Sequence, residues 1–225
     1  MTERPEPAAP LDVTAGPEPE PALARQVFGD RLDVVRRFAA DLADRGVELG
    51  LIGPREPERL WSRHLLNCGV LASAVPEGVT VVDVGSGAGL PGLVLAATRP
   101  DLAVTLLEPM ARRIAWLEEE TARLGLERVT VLRGRAEEVR GRHAFDVVTA
   151  RAVGALRTLL PITAPLARAG GELLLMKGAG VDAELTEAEK VVRRLRLADA
   201  RVEILDPGEA SLATRVFRAT VPERP

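Results

Sequence analysis

The feature that most restricts the fold of this sequence is a short apolar strand that leads directly into a glycine-rich turn. Residues 79–84 read Val-Thr-Val-Val-Asp-Val and lie between Gly78 and Gly85. A β-branched run of this kind predicts a strand that is buried on both faces. Such a strand belongs inside a parallel sheet, whose strands are joined by helices that cover the sheet. The segment therefore predicts an α/β fold.

Strand and helix patterns alternate after this segment, as that fold requires. The last two strand patterns, at 201–205 and 213–220, are joined through Asp206-Pro-Gly208 with no helix between them, which predicts an antiparallel hairpin. We therefore expect a Rossmann-like, doubly wound, mostly parallel sheet of seven strands that ends in this hairpin. The other strands are predicted at 103–107, 129–132, 145–150 and 172–176, and the helices at 90–98, 110–124, 155–166 and 182–195.

Two amphipathic helices are predicted in front of the sheet. Apolar residues recur at helical spacing from Gln26 to Gly46 and again from Glu56 to Ala72. Residues 1–21 are rich in Pro, Glu and Ala and contain few large apolar side chains, so we expect disorder there. The expected organisation is a disordered tail over residues 1–21, a helical preface over 22–75 and one α/β domain over 76–221.

Composition argues against several other classes of protein. The chain has 225 residues, 46% of them hydrophobic and 28% charged, and no apolar run reaches the roughly 20 residues that cross a bilayer. The first residues combine prolines with acidic side chains, unlike a signal peptide, and the lone Cys68 can form no internal disulfide, so we expect a cytoplasmic protein. The formal net charge of −3 gives no overall attraction to nucleic acid, although a local basic face is compatible with it.

The glycine turn predicts a cofactor site. In a doubly wound sheet the ligand lies outside the carboxyl ends of the strands, and the alternate glycines of Gly85-Ser-Gly87-Ala-Gly89 let a ligand approach the main chain. A shifted register, from Gly87 to Gly92, fits the dinucleotide pattern G-x-G-x-x-G, but its first glycine then lies three residues beyond the strand. Without a shift, the turn fits the E/D-x-G-x-G-x-G pattern of enzymes that bind S-adenosylmethionine (SAM).

Acidic residues near the turn favour SAM. Asp83 at the strand end would repel a pyrophosphate but would suit the amino group and sulfonium of SAM. Glu108 ends the second strand, where a carboxylate can accept both ribose hydroxyls of SAM or of NAD. Ala136 and Glu137 follow the third strand, at the position where SAM enzymes hold the adenine edge, although these two residues can also be simply the start of a surface helix.

With these pieces in place, the chain resembles the small-subunit ribosomal RNA guanine-N7 methyltransferase G family, also called glucose-inhibited division protein B. The resemblance runs from about Arg31 to Thr220. Its Gly-Leu-Pro-Gly extension sets this family apart from generic methyltransferases. The motifs that carry it are Arg63-His64, Asp83-Val-Gly-Ser-Gly-Ala-Gly-Leu-Pro-Gly92, Arg112-Arg113, Thr149-Ala-Arg151-Ala152 and Met176-Lys177-Gly178.

The resemblance implies a class I SAM-dependent methyltransferase fold, with 16S ribosomal RNA or the small ribosomal subunit as partner and a guanine of the decoding-region loop as substrate. It implies that Gly85, Leu90, Ala136, Glu137 and Arg151 contact SAM. Together with the residues above, the expected cofactor site comprises Asp83, Gly85, Gly87, Leu90, Glu108, Ala136, Glu137 and Arg151. The sequence departs from the family at Gly50-Leu-Ile-Gly53, where Asn-Leu-Thr is common, and at Glu108, where Asp is common.

Methyl transfer to guanine N7 needs no general base, because N7 has a lone pair and no proton to lose, so we expect neither a catalytic base nor a metal. The expected RNA contacts are Arg63, His64, Arg112, Arg113 and Lys177. Some of these residues have a structural alternative: His64 can be a packed helix residue, and Arg112 and Arg113 can pair with Glu118–Glu120. The cofactor candidate Arg151 can instead form a salt bridge with Asp83 or Glu137.

Three other functions are compatible with the sequence alone. A small-molecule methyltransferase would carry the same cofactor turn. An NAD-dependent oxidoreductase would use the shifted glycine pattern and Glu108. A non-catalytic RNA-binding module would use the arginines without transferring a methyl group.

Overall fold

The computed structural model describes residues 16–151, 153–209 and 212–222. Most of the tail expected to be disordered, residues 1–15, lies outside them. In the described part of this segment, the side chains of Glu18 and Glu20 contact the preface. The Glu18 carboxylate accepts a hydrogen bond from the Ser62 amide at 2.9 Å, and Glu20 pairs with Arg36 at 2.6 Å.

The sheet confirms the predicted architecture of seven mostly parallel strands. Its order is β3-β2-β1-β4-β5-β7-β6, with β1 to β5 parallel and β7 antiparallel to both of its neighbours. The order reverses after β1, whose next strand in sequence lies on one side and β4 on the other. The strands are β1 Thr80–Val84, β2 Ala103–Glu108, β3 Val129–Arg133, β4 Phe145–Arg151, β5 Ala167–Lys177, β6 Ala198–Leu205 and β7 Thr214–Thr220.

The predicted terminal hairpin is confirmed, with its second strand inserted into the sheet. β7 pairs with β5 from Glu172 opposite Thr220 to Lys177 opposite Arg215, and it pairs with β6 on its other side. The last strand is therefore an interior strand, while β6 forms the edge.

Helices cover both faces of the sheet. No helix formed by the described residues has the length and apolar character needed to cross a membrane. The α-helices are α1 Leu23–Phe28, α2 Leu32–Arg45, α3 Leu66–Leu71, α4 Gly92–Thr98, α5 Ala111–Leu124, α6 Ala136–Val139, α7 Leu156–Thr163 and α8 Val181–Arg194. Short 3-10 segments lie at Gly29–Arg31, Pro57–Arg59, Ala72–Ala74 and Ala164–Leu166.

The second preface helix is less regular than the sequence suggests. A single helix over residues 56–72 is predicted, whereas the structure has a 3-10 turn, a π-helix over Leu60–Leu65 and then α3. Apolar spacing does not separate these forms over one or two turns, because the period of each differs from that of the α-helix by less than one residue. The π-helix carries Arg63 and His64, and π-helical turns are frequent at functional sites.

The preface shares one hydrophobic core with one face of the sheet. Phe28, Phe38 and Leu42 of the preface belong to the same buried cluster as Leu93 of α4 and Trp116 of α5. The opposite face is covered by α6, α7 and α8 around a second cluster. The preface is therefore part of the structural support of the sheet.

A buried carboxyl group lies where the preface meets α5. Glu120 is fully buried beside Asp41 of α2, and Asp41 pairs with Arg123 at 2.6 Å. Nη1 of Arg45 lies 4.0 Å from Glu120 Oε1. Burial, followed by the charge of Asp41, raises the pKa of Glu120 to about 7.

We expect Glu120→Gln to stabilise the protein at pH 8 by about 1–3 kcal/mol and to have little effect at pH 5. The folded state favours the protonated carboxyl, so the stability linked to this group is present below its unfolded pKa of 4.5 and is lost as the pH rises through about 7. Gln mimics the protonated form at every pH. Urea unfolding at the two pH values measures the difference.

Glu119→Gln is the matched control, because the neighbouring Glu119 is exposed and paired with Arg45, and this pairing lowers its pKa. It should give no stabilisation at pH 8. Equal effects of Glu120→Gln at both pH values would contradict the assignment of a neutral buried carboxyl.

Candidate active site

The carboxyl ends of three adjacent strands bring the main candidate residues together. Val84 at the end of β1 lies opposite Leu107 of β2, and Asp83 lies opposite Thr149 of β4. The glycine turn after β1, Glu108 at the end of β2 and Arg151 at the end of β4 therefore meet at one edge of the sheet. This is the point where the strand order reverses, which is where ligands bind in doubly wound folds.

The conformation of the turn requires glycine. Gly85, Gly87 and Gly89 have φ angles of +74°, +55° and +98°, which L side chains rarely adopt. At Gly89, an added Cβ would lie 2.4 Å from Cδ1 of Leu93. The turn is closed by a hydrogen bond of 2.7 Å from the Gly89 amide to the Ser86 carbonyl oxygen.

Asp83 lies beneath the turn rather than in a cleft. Its carboxyl group is fully buried, and Oδ2 accepts a hydrogen bond of 3.0 Å from the Gly92 amide. Oδ1 is buried without a hydrogen-bond partner among the described residues. Burial raises the pKa of Asp83 to about 7. The position of Asp83 is suited to holding the turn against α4, and direct contact with SAM stays a prediction.

A cleft of about 510 Å³ opens above the turn. Of the expected cofactor residues, it brings together Gly85, Gly87, Leu90, Glu108 and Arg151. His64 and Arg113, which were expected to contact RNA, also line it. The remaining walls are formed by Leu51, Ile52, Gly53, Glu56, Ser86, Ala88, Pro109, Met110 and Val153.

Glu108 forms the floor of this cleft. Its buried carboxylate accepts a hydrogen bond of 3.0 Å from the Gly87 amide through Oε2 and one of 3.0 Å from the Met110 amide through Oε1. Nη1 of Arg113 lies 3.7 Å from Oε2, and Nε of Arg113 is buried without a partner among the described residues. Each carboxylate oxygen has further acceptor capacity, so Glu108 can accept two hydroxyl groups of a ligand.

A chain of side-chain contacts connects the preface to Arg151. Nη2 of Arg151 contacts Nδ1 of His64, and Nε2 of His64 contacts Oε2 of Glu56. Nη1 of Arg151 donates to Sγ of Cys68 at 3.6 Å. Arg151 forms no salt bridge with any described residue, so the alternatives of pairing with Asp83 or Glu137 are not observed. Its charge is available to a ligand.

His64 is a buried part of this chain and not a free ring. Burial, followed by the charge of Arg151, lowers the pKa of His64 to about 4. The ring is therefore neutral at pH 7. Because Arg can only donate and an ionised Glu can only accept, we assign the proton to Nε2 and the acceptor role to Nδ1. The position favours the structural alternative for His64, and its contact with RNA stays a prediction.

A second cleft, of about 380 Å³, lies on the other side of Arg151. It includes Arg63 and Lys177, which were expected to contact RNA. Its remaining walls are formed by Asn67, Met176, Gly178, Glu184, Ala213, Thr214 and Arg215. Of the described residues, Arg151 alone lines both clefts.

The two expected RNA contacts in this cleft differ in availability. Arg63 is half exposed, and its Nε lies 3.7 Å from Oε2 of Glu56. The Lys177 side chain is only 8% exposed, pairs with Glu184 at 2.7 Å and donates to the Gly154 carbonyl oxygen at 2.8 Å. Lys177 is therefore well suited to hold the β4–α7 loop, and its contact with a phosphate stays a prediction.

Besides Asp83, three expected residues lie outside both clefts. Arg112 is exposed on α5, near Gly50. Ala136 is buried and Glu137 exposed at the start of α6, which follows β3 beside Glu108. The alternative pairing of Arg112 and Arg113 with Glu118–Glu120 is not seen among the described residues, where Arg45 pairs with Glu119. Ala152 lies outside the described residues. Among the described residues, no cluster of His, Cys, Asp and Glu is arranged to hold a metal.

Glu56, Asn67 and Arg215 were missed by the sequence analysis. Asn67 follows Arg63 at i+4, as Cys68 follows His64, and this spacing places each pair on one side of the helical segment. This spacing, which is visible in the sequence, places Asn67 beside Arg63. Glu56 comes before the π-helix and Arg215 begins β7, so their approach depends on loop conformation and strand register, which have no local signature.

The sequence is similar to a known family over most of its length. The model of the family described as rRNA small subunit methyltransferase G matches residues 31–212. A relative of that name from Clavibacter michiganensis is 54% identical over 204 residues, which cover 91% of this chain and 96% of the relative. Another from Leifsonia xyli is 54% identical over 209 residues, covering 93% and 100%. One from Streptomyces avermitilis is 51% identical, covering 92% and 87%.

Solved structures show the same fold at low sequence identity. M. jannaschii TYW2 in complex with AdoMet has a TM-score of 0.55 at 18% identity, covering 73% of this chain and 78% of that one. An O-methyltransferase from Thermotoga maritima has a TM-score of 0.51 at 20% identity, covering 71% and 66%. These likenesses confirm the predicted Rossmann-like methyltransferase fold.

Proposed function

The chain belongs to the rRNA small subunit methyltransferase G family, and on that basis we propose that it transfers a methyl group from SAM to N7 of a guanine in the decoding-region loop of 16S ribosomal RNA. The observation that carries the proposal is a pair of clefts that share Arg151. One has the donors and acceptors that a nucleoside cofactor needs, and the other is cationic. We further propose that the protein acts in the cytoplasm on ribosomal RNA or the small ribosomal subunit.

The first cleft fits SAM in its chemistry. The glycine turn exposes main chain where side chains would block a ligand, and the buried Glu108 carboxylate can accept two ribose hydroxyls. Met110 offers an exposed apolar side chain at the rim, suited to the face of a purine. Arg151 offers a guanidinium without a carboxylate partner, suited to the carboxylate of the amino acid part. Ala136 and Glu137, beside Glu108, are proposed for the adenine edge.

When bound, SAM supplies an electrophilic methyl group: the N7 lone pair forms the new N–C bond, the C–S bond breaks and the positive charge passes to the purine. The residues of this chain contribute by binding, orienting and excluding water. Positioning of two reactants can supply roughly 7–11 kcal/mol of the barrier when their geometry is good. Because N7 carries no proton, methyl transfer does not require His64 or Asp83 to accept a proton from the substrate.

Glu56 and His64 position Arg151 between the two clefts. Arg151 contacts His64 with one terminal nitrogen and Cys68 with the other, which fixes the plane of its guanidinium. His64 stays neutral, so it orients Arg151 without repelling it. Arg151 is thereby placed to contact both the cofactor and the RNA.

We expect Glu108→Gln to weaken SAM binding about tenfold, because a carboxamide has one acceptor oxygen and turns its NH₂ group toward the Gly87 or Met110 amide. Isothermal calorimetry measures the affinity. Glu118→Gln, an exposed change on α5, is the matched control and should bind like the wild type. An unchanged affinity in Glu108→Gln would exclude Glu108 from the ribose site.

The proposed substrate is tested by deleting the gene and mapping N7-methylguanine across the ribosomal RNA of the cell. We expect one site in 16S RNA to lose its methyl group and to regain it when the wild-type gene is restored. An unchanged 16S RNA in the deletion strain would contradict the substrate assignment, even if purified protein bound SAM. Loss of methylation from a small molecule instead would favour a small-molecule methyltransferase.

A further inference from the structure

The second cleft differs from the first in its balance of charge. Its described lining residues include one carboxylate, Glu184, and four cations, Arg63, Arg151, Lys177 and Arg215. The chain as a whole carries a formal charge of −3. Glu184 is already engaged by Lys177. Arg151 and Arg215 form no salt bridge with any described residue. The cleft therefore concentrates unneutralised positive charge at one point of an acidic protein, as a site for a nucleotide requires.

Asn67 gives the same cleft an unused hydrogen-bond acceptor. Its Nδ2 donates to the Arg63 carbonyl oxygen at 3.0 Å, while its Oδ1 is buried and has no partner among the described residues. Buried polar atoms without a partner are uncommon in folded proteins. The donor of this amide thus serves the helix. The acceptor, although buried, has no hydrogen bond that a ligand in the cleft would have to replace.

We propose that the second cleft is the seat of the target guanine, with Asn67 Oδ1 reading its base and Arg215 holding its phosphate. This inference rests on the proposed function and extends it to residues that the family resemblance did not assign. The shared wall, Arg151, makes the two clefts neighbours, as transfer between two bound molecules requires.

The chemistry of guanine matches the groups in the cleft. If N7 faces the methyl donor, the Watson–Crick edge of an unstacked base is free to be read by hydrogen bonds. Guanine presents N1–H and N2–H₂ donors there, whereas adenine has an acceptor at N1 and no group at C2. Asn67 Oδ1 can accept from N1–H or N2–H₂ of guanine. At these two positions adenine has no donor, because its one donor on this edge, N6–H₂, lies where guanine has O6. The arginines can donate to O6 and to the phosphate.

Substitution of Asn67 separates its two hydrogen-bonding roles. Leu removes both donor and acceptor at similar size, while Asp keeps the acceptor and loses the donor to Arg63. We expect Asn67→Leu to lower kcat/KM on small subunits from the deletion strain at least tenfold, and Asn67→Asp to stay within threefold of the wild type. SAM affinity by calorimetry should be unchanged in both. Ser73→Ala, in the 3-10 turn that follows α3, should behave like the wild type.

Wild-type kcat/KM in Asn67→Leu would overturn the reading of the base. So would an equal loss in the Asp and Leu variants, since the Nδ2 bond to the helix would then be the important one. Both variants are compared at equal SAM saturation, and their folding is checked by thermal unfolding.

Arg215→Gln provides an independent test if Asn67→Leu does not fold. We expect it to raise KM for small subunits about tenfold and to leave kcat within threefold, because a phosphate contact contributes mainly to binding. Arg201→Gln, an exposed arginine on the edge strand β6 that pairs with Glu203, is the matched control. An unchanged KM in Arg215→Gln would remove Arg215 from the site. Failure of the wild-type enzyme to methylate N7 would instead overturn the proposed function itself.

Discussion

Replacing Arg151 by Gln is expected to reduce kcat/KM on small subunits about 30-fold or more, with SAM binding and RNA binding both weakened. Truncation of one partner in a buried, charged hydrogen-bonding pair costs about 2–5 kcal/mol. Arg151 has no described carboxylate partner, so this loss is expected from its contacts with the two ligands. The Nδ1 acceptor of His64 and the Sγ of Cys68 also lose their donor. Steady-state kinetics, with SAM affinity from calorimetry, measures the effect.

Two further variants define the origin of the Arg151 effect. Arg151→Lys keeps the charge but cannot reach both His64 and Cys68 with one planar group, so we expect only partial recovery. Arg193→Gln, on the exposed side of α8, should leave kcat/KM unchanged. If Arg151→Gln retained activity within threefold of the wild type, the shared position of Arg151 between the clefts would have no catalytic importance.

Replacing Gly92 by Ala is expected to destabilise the protein by about 3 kcal/mol, since overpacking a buried site typically costs 1–3 kcal/mol and occasionally more. An added Cβ would lie 2.3 Å from Cδ2 of Leu106 and 2.8 Å from Oδ2 of Asp83. Leu106 and Asp83 are both fully buried, so a shift of either side chain must displace other packed atoms. For a chain of this size the expected fall in Tm is roughly 6–12 °C.

The Gly92 prediction has a matched control in Gly180→Ala. Gly180 has a φ of −82°, and an added Cβ there meets nothing within 4 Å. It should change Tm little. Because Gly92 donates its amide to Asp83, Gly92→Ala is also expected to weaken SAM binding through the turn. A Tm equal to that of the wild type would mean that Leu106 and Asp83 can move away from the added methyl group without loss of stability.

The order of strands and helices was predictable, because it depends on local patterns. Val79–Val84 has the composition of a fully buried strand, and Glu108 follows a strand of the same kind. Once both strands are parallel neighbours, their carboxyl ends must lie at one edge, which brings Glu108 to the glycine turn. The hairpin was predicted from Asp206-Pro-Gly208, but insertion of β7 beside β5 depends on long-range pairing that no local pattern encodes.

The partners of the site residues were not predictable to the same degree. The sequence shows that His64 lies on a helix. It does not show that the His64 ring contacts both Glu56 and Arg151, because these contacts form only when the preface packs against the sheet. The engagement of Lys177 by Glu184 likewise depends on where α8 begins relative to β5. Residues at strand ends, such as Glu108, were located correctly from the sequence. Whether a cation such as Lys177 is already paired depends on residues far away in the sequence.

The interior position of β7 has a consequence for synthesis on the ribosome. Strands β1 to β5 emerge in the order in which they can pair, but β5 and β6 have no partner between them until residues 214–220 have been translated. The nascent chain therefore carries two unpaired strand edges during the last stage of translation, and such edges readily pair with other chains. A protein that stops before β7 would keep those edges permanently, so premature termination late in the gene should produce an aggregating chain rather than a slightly shortened enzyme.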